Sequence, residues 1–198
     1  MDIHLASSSP RRHEILTAMG LRFTAAGVDI DETRHDGEQV ADMVVRLAIA
    51  KAAAARENAD PSLPIIGADT AVAIGDQVLG KPGSEDEAVQ MLASLSGRTH
   101  TVLTGVALDY AGVVRTATSL TEVRFREISP DEAQSYWQSG EPLDKAGAYA
   151  VQGIAGIFVE ELSGSYSGVV GLPVFETAAL LADAGLEVLG RHPEHLHA

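Results

Sequence analysis

The chain has 198 residues, 45% of them hydrophobic and 21% charged, a balance that supports a folded core and excludes a wholly disordered chain. It contains no cysteine, which excludes disulfides, thiolate metal sites and thiol nucleophiles, and no run reaches the roughly 18 apolar residues of a membrane span. The formal net charge of −14 makes nucleic-acid backbone and anionic lipid poor partners. The opening MDIHLASSSP lacks a secretory leader, so a cytoplasmic protein is expected, with one domain over residues 1–190 and a frayed tail at 191–198.

Ile3 to Ala6 reads as a first strand, and the polar run Ser7-Ser8-Ser9 leads into a helix from Pro10 to about Met19, with Ser9 as its cap and Gly20 as its stop. Phe23 to Ile30 reads as extended, residues 31–37 as a polar loop, and Glu38 to Asn58 as a long helix. Ile65 to Ile74 is a strand-like apolar run interrupted by Gly-Ala-Asp-Thr, and Gly75-Asp76-Gln77 turns it into Val78-Leu79. Ser84 and Glu87 fit a capping box for a helix ending near Leu95. Two long strands follow, about 99–109 and 113–128, joined at Ala111-Gly112. Ser129, Pro130 and Glu132 start another helix that ends near Gly140. Residues 146–162 read as Gly-rich and extended, SGSYSG as a loop, and Pro173 to Gly185 as a last helix. Strands and helices mix without strict alternation and with hairpins, which predicts an α/β chain with a mixed sheet flanked by helices.

The serine run before Pro10-Arg11-Arg12 carries the first chemistry. Two arginines in a first helical turn oppose the helix dipole, and a bound anion reverses that argument. Backbone N–H groups, serine hydroxyls and two guanidinium forks make a phosphate cradle. On the helix 38–58, Val40, Val44 and Leu47 form one stripe, and Lys51 falls in its middle. A lysine there either snorkels out or reaches a phosphate or carboxylate in a cleft, and the helical wheel leaves both open.

In Ile66-Gly67-Ala68-Asp69-Thr70, an aspartate lies inside a run of β-formers, where a charge needs backbone N–H partners, a cation or a metal. The basic motifs nearby favour a carboxylate that binds a divalent ion or polarises water. Leu79-Gly80-Lys81-Pro82 presents Lys81 from a rigid corner but lacks Walker A spacing. Lys145 lies in DKAGAY, so each of the three lysines falls in a motif. Gln152 sits between Val151 and Gly153. Its amide matches the paired donor and acceptor of a uracil-type base edge, and it also reads as a surface glutamine on a strand. The histidines show no catalytic pairing, and nucleophile-elbow and dinucleotide-binding patterns are absent.

Taken in order, LASSSPRRHEIL, RLAIAK, IIGADTAV, LGKP, SGRTHTVLTGVAL, EVRFREIS, EPLDKAGAYAVQG and GSYSGVVGLPV resemble the Maf family, once named for inhibition of septum formation. The resemblance implies an elongated mixed sheet similar to inosine triphosphate pyrophosphatase, with a cleft between two lobes. It also implies cleavage of nucleoside triphosphates to monophosphate and pyrophosphate, a divalent cation (Mg²⁺, with Mn²⁺ or Co²⁺ as alternatives) and a homodimer. Carried over position by position, it makes Asp69 the general base and a metal ligand together with Glu32. Ser7, Arg11, Lys51 and Lys81 go to the phosphates, and Arg12, Thr70 and Gln152 sort the substrate. Pro10-Arg11-Arg12, Ala68-Asp69-Thr70 and Val151-Gln152-Gly153 resemble the dTTP/UTP group. The 7-methyl-GTP group instead has a tryptophan before the second arginine and a glutamate in place of Gln152. Two readings compete with a pyrimidine triphosphate pyrophosphatase: a 7-methyl-GTP or broad nucleotide pyrophosphatase, and a non-catalytic regulator of cell division.

Overall fold

The computed structural model describes residues 2–189. A seven-stranded mixed sheet runs in the order β2-β1-β3-β5-β6-β7, with β4 also paired to β3. The strands are β1 (Asp2–Leu5), β2 (Arg22–Ala25), β3 (Ile65–Ile74), β4 (Gln77–Leu79), β5 (Thr99–Tyr110), β6 (Val113–Phe125) and β7 (Val159–Ser163). The helices are α1 (Pro10–Ala18), α2 (Val40–Arg56), α3 (Glu85–Leu95), α4 (Pro130–Gln138), α5 (Tyr166–Val170) and α6 (Val174–Asp183). β1 pairs parallel with β2 and β3, and every other ladder is antiparallel. The expected α/β mixed sheet with flanking helices is what the chain forms.

β3 is covered on both faces, which is why it reads as an apolar run rather than an alternation. Its odd residues face α2: Ile65 packs with Ala48, Ala52 and Ala55, and Ala71 packs with Met43, Val44 and Leu47. Two glycines bring this helix close. A Cβ on Gly67 would lie 2.1 Å from the Ala48 carbonyl oxygen, and one on Gly105 would lie 2.5 Å from that of Val44. Arg56 ties the far end of α2 to β5 by donating from Nε to the Asp109 carboxylate at 2.9 Å and from Nη2 to the Asp109 carbonyl at 2.7 Å.

The even face of the sheet is covered in two separate pieces. Ile66, Ala68, Val106 and Leu108 pack with β1, α1 and α6. Val72, Ile74 and Val102 pack with α3, α4 and the segment around Tyr149. Between the two clusters this face carries Thr70 and Thr104, paired across β3 and β5. The sheet is also open at that level. β1 reaches only Ile66, and β4 begins only at Val72. Residues 67–71 of β3 therefore have a strand neighbour on the β5 side alone.

Several local expectations need correction. Residues 146–162 are not extended throughout: 3₁₀ turns cover Ala146–Ala148 and Ile154–Phe158, after another at Glu141–Asp144, and only β7 is a strand. Gly147 and Ala148 take left-handed φ values of 69° and 59°, which turns the chain instead of extending it. The Ser-Gly loop contains the short helix α5, capped where the Ser165 hydroxyl accepts from the Gly168 N–H at 3.0 Å. At α1 the expected Ser9 side-chain cap is absent, and the Ser9 N–H instead donates to Ser7 Oγ at 3.2 Å. Glu87 donates its N–H to Ser84, but its carboxylate takes the Gly83 N–H, so that capping box is half formed. The box at Ser129 and Glu132 is complete. The extended run from Phe23 stops pairing at Ala25, and the tail expected to fray lies outside the described residues.

His100 is buried in this core beside Phe125 and Tyr149, with Nε2 2.8 Å from the Tyr149 hydroxyl. Burial pushes it down to about 4, so the folded protein holds it neutral while the unfolded chain titrates near the ordinary value of 6.5. Between those values the unfolded state binds more protons. Stability is therefore full above pH 6.5 and falls as pH drops toward 4. His4 is lowered too and adds the same sign. Urea midpoints are expected to decline from pH 7 to about pH 4.5, above the titration of most carboxylates. His100→Gln should remove most of that decline, and an unchanged slope would show that His100 does not carry it.

Candidate active site

The gap beside residues 67–71 opens into a cleft of about 370 Å³. All the residues singled out from sequence line it: Ser7, Arg11, Arg12, Glu32, Lys51, Asp69, Thr70, Lys81 and Gln152. They come from six separate stretches of chain. The period of two in β3 sends Asp69 toward α2 and Thr70 to the opposite face, and the break between β1 and β4 lets one cleft meet both.

On the α2 side, Lys51 is 9% exposed, and its ammonium lies 2.7 Å from Asp69 Oδ1 and 2.6 Å from Glu32 Oε1. The open alternative for Lys51 is thereby settled: it is paired in the cleft. The Lys51 hydrogen bond holds the Glu32 carboxyl below its usual range, with burial opposing it. Asp69 is 8% exposed, and Oδ2 receives no hydrogen bond from the described residues. Two carboxylates thus share one ammonium through one oxygen each, and among the described residues neither Asp69 Oδ2 nor Glu32 Oε2 has a hydrogen-bond partner.

On the other face, Arg12 donates from Nε to the Gly171 carbonyl at 2.8 Å, from Nη1 to Ser7 Oγ at 3.2 Å and from Nη2 to Thr70 Oγ1 at 3.3 Å. The fully buried Thr104 hydroxyl donates to the Gly168 carbonyl at 2.8 Å. Its proton is therefore committed, and the 2.9 Å contact between the two threonines is a donation from Thr70 to Thr104. Thr70 keeps a lone pair for Arg12. Burial lowers the Arg12 guanidinium, Asp69 raises it and Arg11 lowers it again. Among the described residues no carboxylate forms an ion pair with Arg12, so a half-buried cation sits in the cleft with neutral partners. An anion is what that arrangement lacks.

Three more cations complete the lining. Lys81 projects from its corner, whose Gly80 carbonyl accepts the Gly147 N–H at 3.0 Å. Lys145 is bonded to Asp144, and Arg11 approaches the same carboxylate at 3.8 Å. Sequence reasoning flagged the segment holding Asp144 and Lys145 but did not assign them to the site. Thr104, Gly168 and Gly171 lie inside the matching segments but received no role, because those roles run through contacts 34 to 159 residues apart. Gln152 lines the cleft from a turn, not from a strand, and its amide makes no hydrogen bond within the described protein. Tyr149 lines the same cleft, with its hydroxyl turned into the core toward His100.

Such a cleft can bind a polyanion and present it to a carboxylate. Among the described residues no group of three or more His, Asp or Glu side chains could cage a metal ion. Asp69 and Glu32 place two carboxylates side by side on Lys51, the oxygen donors that would hold a hard divalent cation. No described helix is long and apolar enough to cross a membrane.

Comparison with known proteins agrees with the sequence resemblance. A dTTP/UTP pyrophosphatase from Hahella chejuensis is 50% identical over 186 residues, covering 93% of this chain and 92% of that protein. One from Aromatoleum aromaticum is 47% identical, covering 92% and 95%. Among solved structures, the Staphylococcus aureus Ham1 protein matches at 13% identity and a TM-score of 0.46, over 63% of this chain and 72% of that one. The family described as Maf-like protein matches residues 2–184, and this chain belongs to that family.

Proposed function

We propose that this protein hydrolyses dTTP and UTP between the α- and β-phosphates, releasing the monophosphate and pyrophosphate. The observation that carries the reading is the meeting of five cationic side chains, Arg11, Arg12, Lys51, Lys81 and Lys145, with the free oxygen of Asp69 in one cleft. A pure binder has no use for a carboxylate held among cations. The names of relatives about 50% identical over nearly their whole length support the substrate class.

Arg11, Arg12, Lys51 and Lys81 bind the triphosphate through charge-assisted hydrogen bonds, helped by the Ser7 hydroxyl and the uncapped start of α1. Thr70 holds Arg12 in register. Asp69 is the general base: Oδ2 takes a proton from water as the water oxygen bonds to the α-phosphorus. The bond from that phosphorus to the bridging oxygen breaks, and pyrophosphate leaves in line. Asp69 and Glu32 would hold a divalent cation, Mg²⁺ first and Mn²⁺ or Co²⁺ as alternatives, which would supply neutralising charge to the phosphates. Gln152 reads the base edge by donating and accepting together. The reading extends to a cytoplasmic protein and, on the family resemblance alone, to a homodimer.

The test is pyrophosphate release from dTTP, UTP, CTP and 7-methyl-GTP with Mg²⁺. Preference for dTTP and UTP is expected, and release from 7-methyl-GTP alone, or from none, sinks the reading. Gln152→Glu replaces the donor with a second acceptor and is expected to lower kcat/KM for dTTP and UTP by about tenfold or more. Equal selectivity before and after that change would count against base reading at this position.

A further inference from the structure

Gln152 sits on a short turn whose only internal closure is the Gly153 N–H donating to the Ala150 carbonyl at 3.0 Å. A side chain on so slight a turn reads a base edge only if the turn is held from outside. Two residues that do not line the cleft hold it. Glu141 Oε2 accepts the Ile154 N–H at 2.9 Å, and Oε1 accepts the Ala155 N–H at 3.2 Å. The same Oε1 accepts the Tyr136 hydroxyl at 2.7 Å, and that hydroxyl accepts the Ala150 N–H at 3.3 Å. Both ends of the turn are thus tied to one hydroxyl–carboxylate pair. Tyr136 is 3% exposed on α4, so the pair is anchored in the core rather than floating with the loop.

The fit is close enough to dictate a neighbouring residue. A Cβ on Gly153 would lie 2.2 to 2.5 Å from the Glu141 carboxylate atoms, so the glycine next to Gln152 is what lets the brace approach. Every recorded partner of the Glu141 carboxylate is a donor, and no described cation forms an ion pair with it. Burial alone would raise its carboxyl, but the bonds from Tyr136, Ile154 and Ala155 outweigh burial and keep it below its ordinary value. The group is therefore an ionised acceptor at working pH, and the turn is organised around its charge.

We propose that Glu141 and Tyr136 form a positioning pair that fixes the Gln152 turn and so sets base selectivity without touching the nucleotide. The inference rests on Gln152 as the base reader. Glu141→Gln is the informative change, because it keeps shape but puts an NH₂ donor against groups that are themselves donors. Tyr136→Phe loosens the Ala150 end and one contact to Glu141.

Initial rates of pyrophosphate release are measured on the full chain with dTTP, UTP and CTP. Inhibition by inorganic tripolyphosphate reports the phosphate end separately. Glu141→Gln is expected to raise KM for dTTP and UTP about tenfold with little change in kcat, to bring the dTTP-to-CTP ratio of kcat/KM toward one, and to leave tripolyphosphate inhibition within about twofold. Tyr136→Phe is expected to move the same quantities in the same direction by about threefold, and it keeps the test open if Glu141→Gln does not fold. In a Gln152→Ala background, Glu141→Gln should cause no further loss of selectivity, a coupling that a merely stabilising contact would not show. If Gln152→Ala loses selectivity while Glu141→Gln and Tyr136→Phe keep it, the positioning role is overturned and base reading stands. If Gln152→Ala itself keeps selectivity, base reading fails first. If tripolyphosphate inhibition weakens as much as KM rises, the pair supports the whole site and the specific role is overturned.

Discussion

Asp69→Asn is expected to lower pyrophosphate release from dTTP by about 10²- to 10⁴-fold, the usual contribution of a positioned general base, while the protein stays folded. The two halves of that expectation come from the two oxygens of one side chain. Oδ1 accepts the Lys51 ammonium at 2.7 Å, and an asparagine carbonyl still accepts there. Lys51 also keeps Glu32 at 2.6 Å, so removing the Asp69 charge does not leave a buried ammonium without a counter-ion. That matters because orphaning one member of a buried pair typically costs about 3–5 kcal/mol. Oδ2, which has no described partner, becomes an amide nitrogen that cannot take a proton. Turnover should therefore collapse while the thermal midpoint moves little. Release within a few-fold of the starting protein would remove Asp69 from the base role. A large fall in the midpoint would show that its charge serves the fold.

Parts of this site were legible because they depend on local periodicity. The 3.6-residue period of α2 puts Lys51 on the buried stripe, and the structure buries it there among Leu47, Ala48 and Ala52. The period of two along β3 separates Asp69 from Thr70. What local pattern does not contain is which strands lie beside β3. The gap that lets one cleft reach both residues exists because β1 stops at Ile66 and β4 starts at Val72, a matter of sheet order. The Arg12 network is non-local for the same reason: its carbonyl partner Gly171 is 159 residues away. Residues 146–162 were misread on different grounds. Their many small residues suggested extension, but the left-handed backbone at Gly147 and Ala148 turns the chain, and a Cβ on Gly147 would press on Val72. The capping serine of α5 was visible at position 165 and was masked by the glycines around it.

The second large effect is expected from a residue that touches no part of the cleft chemistry. Gly67→Ala should lower stability by about 3 kcal/mol, the upper part of the usual range for overpacking. For a chain of this length that is a fall of roughly 6–12 °C in thermal midpoint. The added Cβ would stand 2.1 Å from the Ala48 carbonyl oxygen and 2.8 Å from the Ala52 nitrogen. Both are helix backbone atoms and cannot swing aside as a side chain does. β3 is tied along its length to β5, and Arg56 ties the end of α2 to Asp109, so neither partner moves freely. Relief to ordinary contact requires α2 to lift by about 1 Å, since non-bonded heavy atoms settle near 3.5 Å and the strand absorbs part of the change. Lys51 lies on that same turn of helix, between Ala48 and Ala52, and its 2.7 Å bond to Asp69 would stretch beyond hydrogen-bonding distance. Misplacement of about 1 Å in a reacting constellation costs on the order of 10²-fold in rate, so activity should fall even where the variant remains folded. Gly80→Ala is the matched control: a Cβ there meets nothing within 4 Å, and the midpoint should hold within about 0.5 kcal/mol of the parent. A Gly67→Ala protein that melts and turns over like the parent would mean that α2 does not rest on β3 as closely as the glycine implies. The distance between Lys51 and Asp69 would then need another cause.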